Sequence, residues 1–378
     1  MKVVVVNCFD TYGERVGLIK EFFENKSFQV TVLQSNFSHF NKEYLNKEEI
    51  NYQYIHTTKY NSNLSYARLK SHYNFAENSY KVIEQIKPDI LYVVIPPNSL
   101  ARIAKKYKMK YKNTKIIFDI IDLWPETLPV NKIKGLPPFT TWRKLRDNNI
   151  KYADLIITEC NLYRKALGKL LEQSKVETIY LAKKEIDIKS SPRLSEEEIH
   201  LSYLGSINNI IDIKKIKDMI YEINKLKPVT LHIIGDGESK NLFIKEIEKT
   251  GSKVIFYGKV YNNKIKQEIF DQCHYGLNIM KESVCVGLTM KSIDYFQMGL
   301  PILNNIQEDT EYIVSEHDIG FNVTDGNFKK LAELVNSTSV KDNLAMRKNT
   351  YKTFFELFSV NAFGEKLENA YTAMGIQN

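Results

Sequence analysis

Short apolar runs alternate with segments of helical periodicity along the whole chain, and this alternation sets the narrowest limits on the fold. The runs are rich in β-branched residues, show no in/out alternation and occupy residues 3–7, 29–33, 90–95, 116–120, 155–158, 200–204, 229–234, 254–256, 276–279 and 301–303. Parallel strands that helices cover on both faces have this pattern. The chain is therefore predicted to be an α/β protein with doubly wound, Rossmann-like sheets.

The length of the chain and a polar stretch near its middle predict two such domains. A chain of 378 residues exceeds what a single core usually holds. Residues 183–198, which include SSPRLSEEE, are polar and charged and are typical of an interdomain linker. We place the first domain at residues 1–185 and the second at 186–355. A C-terminal helical segment, 356–378, is expected to pack back towards the first domain.

Several classes of protein are excluded by composition. The opening MKVVVVNCFD is too short an apolar run for a signal peptide or a membrane span, and no other segment approaches one. The four cysteines show no CxxC or Cys/His spacing, which fits a reducing cytoplasm and gives no support to disulfides or a zinc site.

The net charge of +8 is unevenly placed, because residues 101–115 contain seven basic residues and no acidic residue. These residues are Arg102, Lys105, Lys106, Lys108, Lys110, Lys112 and Lys115. A nucleic acid, an anionic membrane surface or water along one face of a helix would each suit such a segment. The segment by itself leaves these three environments open.

Ligands of open α/β sheets bind beyond the carboxyl ends of the strands, so strand-to-helix turns are where a site is expected. The first turn of the second domain offers Gly205, Ser206 and Asn208, and a glycine there allows backbone to approach a ligand closely. The next turn, Gly235-Asp236-Gly237, resembles a phosphate-binding turn without its third glycine. For both turns an ordinary structural role is the alternative.

The third turn, in VGLTMKSID, has the most candidate ligands. Gly287, Leu288 and Thr289 mark the start of a helix, where free N–H groups and the helix dipole favour a phosphate. Lys291 lies one turn in and adds a positive charge, and Asp294 follows three residues later. A carboxylate there can accept hydrogen bonds from ribose hydroxyls. A surface helix with a Lys/Asp pair is the alternative.

The run K-x-x-D-Y-x-x-x-G-x-P that begins at Lys291 resembles the signature of family 4 of the retaining glycosyltransferases. The glycine turn at 205, the G-D-G-E turn at 235–238 and V-x-F-x-G at 254–258 are similar to that family in their order. The resemblance implies the GT-B fold, in which two Rossmann-like domains face a central cleft. It also implies that Asp294 holds the donor ribose and that residues 256–260 lie against the nucleobase. The implied donor site thereby also contains Gly205, Gly235, Gly258 and Lys259.

The first half of the chain extends the resemblance. D-L-W-P-E at 122–126 is similar to a segment of capsule and O-antigen transferases of this family. Asp122 and Asp119 are therefore expected to line the cleft and to act in catalysis with Lys291, although one of the two aspartates would alternatively be only a helix cap. Three residues after the first strand are expected at the acceptor or cleft surface: Asp10, Gly13 and Arg15. For Arg15 a structural ion pair with Glu14 or Asp10 is the alternative.

The implied activity is the retaining transfer of a hexose from an NDP-sugar, UDP-linked by preference, to a saccharide acceptor. Because no DxD motif occurs, no metal ion or other cofactor is expected. The basic stretch 101–115 then favours a lipid-linked acceptor and an anionic membrane surface over nucleic acid. These expectations place the protein in a bacterial cytoplasm, on the inner face of the membrane, in capsule, exopolysaccharide or cell-wall glycan synthesis.

Three departures from the family pattern favour a different class of function. The G-R…K phosphate clamp is missing at Ser206 and Ile211, the first acid of a spaced pair is Val286, and Ile121 replaces a histidine. A catalytically silent GT-B subunit that binds a partner transferase or a glycan is therefore the alternative. A nucleotide-sugar epimerase of the same architecture is a third hypothesis, for which the sequence locates no converging acids and histidine.

Overall fold

The computed structural model describes residues 1–63, 65–128 and 135–375. The chain forms two compact units. The N-terminal unit consists of residues 1–181 and those from Phe363 onward, and the C-terminal unit consists of Ala182–Ala362. The division therefore lies at 181/182, where the sequence placed it at 185/186, and the chain re-enters the first unit at Phe363. Residues 376–378 of the expected terminal segment lie outside the described residues.

The N-terminal unit is a parallel α/β sheet with helices. Its strands are β1 (Lys2–Asn7), β2 (Gln29–Ser35), β3 (Tyr52–Ile55), β4 (Ile90–Ile95), β5 (Lys115–Ile120), β6 (Leu155–Thr158) and β7 (Lys175–Thr178). Its helices are α1 (Gly13–Asn25), α2 (Tyr66–Ile86), α3 (Ser99–Lys110), α4 (Phe139–Asp147) and α5 (Asn161–Leu167). In the described part of the unit the seven strands lie in the order β3-β2-β1-β4-β5-β6-β7.

The C-terminal unit repeats the same architecture. Its strands are β8 (Ile199–Leu204), β9 (Val229–Ile234), β10 (Lys253–Gly258), β11 (Tyr275–Asn278), β12 (Ile302–Asn304) and β13 (Gly320–Asn322). Its helices are α6 (Ile213–Asn224), α7 (Lys240–Glu248), α8 (Asn263–Phe270), α9 (Met290–Gln297), α10 (Asp309–Glu316), α11 (Phe328–Ser337) and α12 (Val340–Leu357). The last helix, α13 (Val360–Ala373), lies mostly in the N-terminal unit. The strand order is β10-β9-β8-β11-β12-β13.

Both sheets have the doubly wound order, with the first strand of each unit near the middle of its sheet. β1 pairs in parallel with β2 and β4, and β8 pairs in parallel with β9 and β11. The chain therefore winds in opposite directions from β1 and from β8. The crevice that such a switch point opens at the carboxyl ends of the strands is the usual ligand site. The predicted α/β class with two Rossmann-like sheets is confirmed.

The central strands are buried because their side chains are apolar on both faces. All six residues of β4 are buried, as are residues 3–6 of β1. Helices pack on each sheet. A β-branched strand without polar alternation buries its side chains on both faces only when it lies between two helical layers. Within the N-terminal unit α13 packs on α1, where Tyr371 contacts Phe22 and Phe23 and Lys26 pairs with Glu368 at 2.6 Å.

Residues 183–198, which the sequence suggested as a linker, belong to the C-terminal unit. Ser190 and Ser191 each donate a hydrogen bond of 2.6 Å to the carboxylate of Asp271. The segment is therefore fixed on its own unit by side-chain contacts. Among the described residues no helix combines the length and the apolar character that crossing a bilayer requires.

Candidate functional site

The start of α9 is the best-formed candidate site in the C-terminal unit. Thr289 is the helix N-cap, and its side chain accepts a hydrogen bond of 3.2 Å from the N–H of Ser292 in a capping box. The Thr289 hydroxyl also donates to Asn278 Oδ1 at 2.8 Å, at the end of β11. The hydroxyl of Thr289 is thus used within the protein, and the placement of Thr289 in a donor site stays a prediction.

Free backbone donors remain at this helix start. In the part of the chain that the structure describes, the N–H groups of Leu288, Met290 and Lys291 have no hydrogen-bond acceptor. The carbonyl of Gly287 is held by Thr310, whose N–H and hydroxyl donate to it at 3.0 and 2.7 Å. Thr310 therefore fixes the turn through the Gly287 carbonyl, while the three N–H groups stay available. This arrangement favours the binding of an anion.

Lys291 brings a positive charge without a carboxylate partner. Its Nζ lies 5.0 Å from the centroid of the Tyr203 ring, and the described residues place no carboxylate within 4.0 Å of it. Burial lowers the pKa of Lys291 to about 8. An amine that is partly withdrawn from water and has no counter-ion is a suitable partner for a diphosphate.

Asp294 lies on the following turn and pairs with a residue that the sequence did not single out. Its Oδ1 is 2.5 Å from Nζ of Lys183, and both side chains are about one-fifth exposed (21% and 19%). Burial lowers the pKa of nearby Lys266, against the opposing influence of Asp294. Among the described residues Oδ2 of Asp294 has no partner. One oxygen of the proposed ribose ligand is therefore paired and the other is open to a hydroxyl.

The glycine turns of the C-terminal unit hold one another by main-chain contacts. The N–H of Gly205 donates to the Ile234 carbonyl at 2.9 Å, and the N–H of Gly235 donates to the Gly258 carbonyl at 2.8 Å. A Cβ on Gly235 would lie 1.9 Å from the Gly205 carbonyl oxygen, and one on Gly237 would lie 2.3 Å from the Ile207 oxygen. The N–H groups of Gly205 and Gly235 are therefore used internally, and a place for either glycine in a donor site stays a prediction.

The polar neighbours of these turns are more accessible. Ser206 and Lys259 are exposed, and Asn208 caps its own loop by accepting from the N–H of Ile210 at 3.1 Å. Phe256, at the predicted nucleobase surface, is 38% exposed. Nζ of Lys240 lies 5.1 Å from the centroid of the Phe256 ring. A free aromatic face therefore exists at the end of the edge strand β10.

In the N-terminal unit Asp119 and Arg15 form a buried ion pair rather than a substrate surface. Asp119 is fully buried, and its two oxygens accept from Nε and Nη2 of Arg15 at 2.8 and 2.9 Å. The hydroxyl of Tyr92 donates to the same carboxylate at 2.8 Å, and Arg15 Nη1 donates to the carbonyls of Ile179 and Tyr180. The structure therefore gives Asp119 and Arg15 a buried pairing with each other, and the catalytic role of Asp119 and the cleft role of Arg15 stay predictions. The carboxylate that pairs with Arg15 is neither that of Glu14 nor that of Asp10.

Asp122 remains a candidate because it is only partly enclosed. Its carboxylate accepts hydrogen bonds of 2.5 Å from the indole of Trp124 and from the hydroxyl of Thr127. Burial raises the pKa of Asp122, and these hydrogen bonds oppose the rise. Asp10 accepts from Ser38 Oγ at 2.7 Å and from the N–H of His39 at 3.1 Å, and Gly13 is the first residue of α1. Asp10 thus organises the loop that follows β2.

The basic stretch forms α3 and the turn after it, and acids of its own unit neutralise much of its charge. Arg102 pairs with Glu77, Lys110 with Glu84, and both Lys108 and Lys115 with Asp154. Lys105 and Lys106 lie over the rings of Tyr152 and Tyr80, at 4.9 and 3.9 Å. The segment is therefore largely a paired helix face, and its charge towards any partner is smaller than the seven basic residues indicate.

Sequence reasoning missed two groups of side chains that the structure places at the carboxyl ends of the strands. One is Lys183, whose pairing with Asp294 joins positions 111 residues apart. The other is a cluster on α2, in which Arg68 and His72 lie four residues apart on a buried face. That spacing is the one signal in the sequence, and it does not distinguish a site from a core.

Comparisons with known proteins define the class of this fold and site. Residues 198–338 match the family model described as Glycosyl transferases group 1, and this range lies within the C-terminal unit. The start of α9, Asp294 and the glycine turns all fall inside the matched range. No curated protein sequence matches the chain significantly.

Individual solved structures match nearly the whole chain in fold. Sucrose-phosphate synthase from Thermosynechococcus elongatus is 11% identical, with a TM-score of 0.71 over 99% of both chains. The lipopolysaccharide outer core galactosyltransferase WaaB, in its apo form, is 17% identical, with a TM-score of 0.71 over 99% of both chains. Anabaena HepE in complex with UDP is 13% identical, with a TM-score of 0.71 over 99% of this chain and 100% of its own. The predicted GT-B fold is confirmed, and the match to the glycosyl transferases group 1 model is confined to residues 198–338.

Proposed function

We propose that the chain is a retaining glycosyltransferase that moves a hexose from a UDP-sugar to a saccharide acceptor. The observation that carries the proposal is the start of α9. There the described structure leaves three N–H groups without acceptors. The Lys291 amine lies one turn before Asp294, whose carboxylate has one oxygen paired with Lys183 and the other without a partner among the described residues. This arrangement offers donors to a diphosphate and an acceptor to a ribose, spaced along one helix.

The diphosphate would occupy the helix start. Its oxygens accept from the N–H groups of Leu288, Met290 and Lys291, and the Lys291 amine adds a full positive charge. The ribose hydroxyls donate to Oδ2 of Asp294, while Lys183 holds Oδ1 in place. Phe256, exposed at the end of β10, offers a face on which a nucleobase can stack. Anabaena HepE, which shares the fold, was crystallised with UDP and with UDP-glucose, which supports uridine as the base.

The transfer breaks the bond between the anomeric carbon and a diphosphate oxygen and forms a bond from that carbon to an acceptor oxygen on the same face. The proton of the acceptor hydroxyl leaves with the departing diphosphate. Preorganised donors at the start of α9 stabilise the charge that grows on the leaving group, and this electrostatic contribution is commonly the largest in such sites. We propose that these groups act without a divalent ion.

The proposed acceptor is a lipid-linked saccharide at the inner face of a bacterial membrane, in capsule, exopolysaccharide or cell-wall glycan synthesis. Attraction to an anionic membrane would come from Lys105, Lys106 and Lys112, because the other basic residues of the stretch 101–115 are paired with acids. Three cations attract an anionic surface weakly, at about 1 kcal/mol each.

A catalytically silent subunit is the second candidate, and one observation favours it. Asp119, one of two candidate catalytic carboxylates in the N-terminal unit, is sealed in the ion pair with Arg15. A subunit of this type would still bind UDP, so binding alone does not separate the two functions. Release of UDP from a UDP-hexose in the presence of membrane extract, and not in its absence, would identify the transferase.

Calorimetric titration with UDP tests the donor site directly. Asp294→Ala removes a charged acceptor whose hydrogen bonds are worth about 1.5–3 kcal/mol each, so UDP should bind at least about tenfold more weakly. Glu333→Ala, which removes an exposed carboxylate on α11, is the matched control and should bind as the wild type does. Equal affinity of the Asp294 variant and the control would place the ribose elsewhere.

A further inference from the structure

A buried cluster of cationic and aromatic side chains lies beyond the carboxyl ends of the strands in the N-terminal unit. Arg68, in the first turn of α2, is 4% exposed, and its guanidinium carbon lies 4.3 Å from the centroid of a Trp124 ring. The rings of Phe9 and Tyr60 lie 5.9 and 6.0 Å from the same atom. Phe9 follows β1, Tyr60 follows β3 and Trp124 follows β5, so three strand ends converge on one guanidinium.

The Arg68 guanidinium is buried with unused donors. Nη1 donates to the carbonyl of Asn63 at 2.7 Å, whereas Nε and Nη2 find no hydrogen-bond partner among the residues that the structure describes. Across the described residues no carboxylate lies within 4.0 Å of Arg68. Burying a charge without a counter-ion is strongly unfavourable, so a chain seldom retains one unless something binds it. Burial lowers the pKa of Arg68, against the opposing influence of Tyr60.

Other buried arginines of this chain are paired. Arg15 bonds to Asp119, Arg146 pairs with Glu126 and Asp147, and Arg347 pairs with Asp271. Each of these three buried guanidiniums is paired with a carboxylate of the same unit. Arg68 has the same burial but no such partner, so its role differs from theirs.

Further basic groups surround the unused donors. His72, one turn along α2, is 2% exposed, and within the described part of the chain both of its ring nitrogens lack a hydrogen-bond partner. Nδ1 of His39 lies 2.5 Å from the hydroxyl of Tyr60, and burial, followed by Arg68 and Lys42, lowers the pKa of His39 to about 4. Nζ of Lys42 lies 4.7 Å from the centroid of the Tyr60 ring. Arg68 and Lys42 therefore carry the positive charge of the cluster, while the lowered pKa values leave His39 and His72 neutral near pH 7 as hydrogen-bonding groups.

The acids near this cluster are occupied by other donors. Asp10 is held by Ser38 and by the backbone of His39, and Asp122 is held by Trp124 and Thr127. Both carboxylates influence neighbouring groups electrostatically, yet neither forms an ion pair with Arg68 in the described structure. An oxyanion from a ligand would supply the counter-ion that the described residues do not provide to Arg68.

We propose that Arg68, with Lys42, His39 and His72 around it, binds an oxyanion carried by the acceptor saccharide, either a carboxylate or a phosphate. The inference deepens the proposed transferase function. It rests on that function only in identifying the bound saccharide as the acceptor. The two unused N–H groups, Nε and Nη2, lie on one edge of the guanidinium, which is the edge that binds two oxygens of one anion. Nζ of Lys42 also donates to the side chain of Asn63.

The test uses calorimetric titration of the full chain with three probes. D-glucuronate supplies a carboxylate, glucose 6-phosphate supplies a phosphate and glucose supplies neither. Each is measured at equal ionic strength, with UDP titrated separately. We expect one or both anionic sugars to bind at least about tenfold more tightly than glucose, since charge-assisted hydrogen bonds contribute about 1.5–3 kcal/mol. The arm that responds identifies the oxyanion.

Variants separate this site from a general attraction of anions. Arg68→Met should lose the preference for the anionic sugar, and Arg68→Lys should retain only part of it because an ammonium cannot bind two oxygens side by side. Lys70→Gln removes an exposed cation from the same helix and should change nothing. Equal losses in Lys70→Gln and Arg68→Met, or equal binding of glucose and both anionic sugars by the wild type, would overturn the proposal.

Thermal unfolding and UDP binding complete the test. If Arg68 is retained for a ligand, Arg68→Met should unfold at a temperature at least as high as the wild type, because it removes a buried charge without a partner. A clear loss of thermal stability would assign Arg68 to the core and contradict the proposal. UDP should bind equally to both proteins. Failure of UDP to bind the wild type would count against the donor site in the C-terminal unit and leave the result for Arg68 standing.

Discussion

Lys291 is the side chain whose protonation should report the binding of a diphosphate. In the free protein its pKa is lowered to about 8 by burial, and among the described residues it has no carboxylate partner. A diphosphate at the start of α9 would bring negative charge to the amine and restore its pKa to about 10.4, the usual value for lysine. Binding of UDP and protonation of Lys291 are then linked.

The two pKa values determine the expected pH dependence. Below about pH 8 the amine is already charged in the free protein, so the affinity for UDP should change little there. Between about pH 8 and pH 10 the free protein has lost the proton and the complex retains it, so binding takes up a proton. The affinity then falls by up to about tenfold per pH unit, and UDP should bind roughly tenfold more weakly at pH 9 than at pH 7. Uridine, which has no phosphate, should bind equally at both.

Calorimetry in two buffers of different ionisation enthalpy measures the proton directly. At pH 8.5 about 0.7 proton should be taken up per UDP bound. Lys291→Met should abolish this uptake and flatten the pH profile, while Lys330→Met, which removes an exposed lysine on α11, should leave both unchanged. Zero proton uptake at pH 8.5 together with wild-type affinity in Lys291→Met would refute the placement of the diphosphate at this helix.

Three further predictions follow from the same structure. Asp119→Ala leaves the Arg15 guanidinium buried and unpaired, so the N-terminal unit should lose about 3–5 kcal/mol of stability, measured by denaturant unfolding, with UDP affinity retained; an unchanged midpoint would contradict the structural role. Transfer should persist in excess EDTA once an acceptor is found, and a requirement for added Mg²⁺ or Mn²⁺ would disprove the metal-independent proposal. Replacing Lys105, Lys106 and Lys112 with Gln should reduce co-sedimentation with anionic vesicles, and the wild type should detach as salt screens exposed charges beyond about 10 Å at ~0.1 M; binding that ignores both changes would point to a different anchor.

The strands in the middle of each sheet could be predicted from the sequence. Of the edge strands, β3, β7 and β13 were missed, and β10 was predicted only at residues 254–256. β4 and β6 are buried along their whole length, so each appears as an uninterrupted apolar run. β7, with the sequence KVET, alternates between exposed and half-buried residues at the edge of its sheet. β3 likewise contains polar and aromatic residues instead of an apolar run. An edge strand has one neighbour and one open side, so burial does not impose an apolar composition on it.

Local features of the candidate site were readable, whereas its long-range partners were not. The start of α9 at Met290 was predicted because Thr289 is a good N-cap and the glycine before it marks a turn. The pairing of Arg15 with Asp119, 104 residues away, depends on how α1 packs against β5. An aspartate at the end of an apolar strand is compatible with catalysis and with a buried pair. The structure decides between them through the position of Arg15, which no local pattern contains.

The mutual contacts of the glycine turns have a consequence for how the selectivity of the proposed donor site could be changed. The turns at 205–207 and 235–237 and the end of β10 are joined through main-chain atoms, and the side chains of Ser206, Asp236 and Glu238 project outward and are exposed. Substitutions at these three positions can alter the chemistry offered to a ligand without loosening the main-chain frame beneath them. Gly235 and Gly237 have no such freedom, since any Cβ there collides with a carbonyl oxygen of the neighbouring turn. Positions that tolerate substitution thus alternate with glycines that do not. A library for altered sugar selectivity should randomise Ser206, Asp236 and Glu238 and keep the glycines.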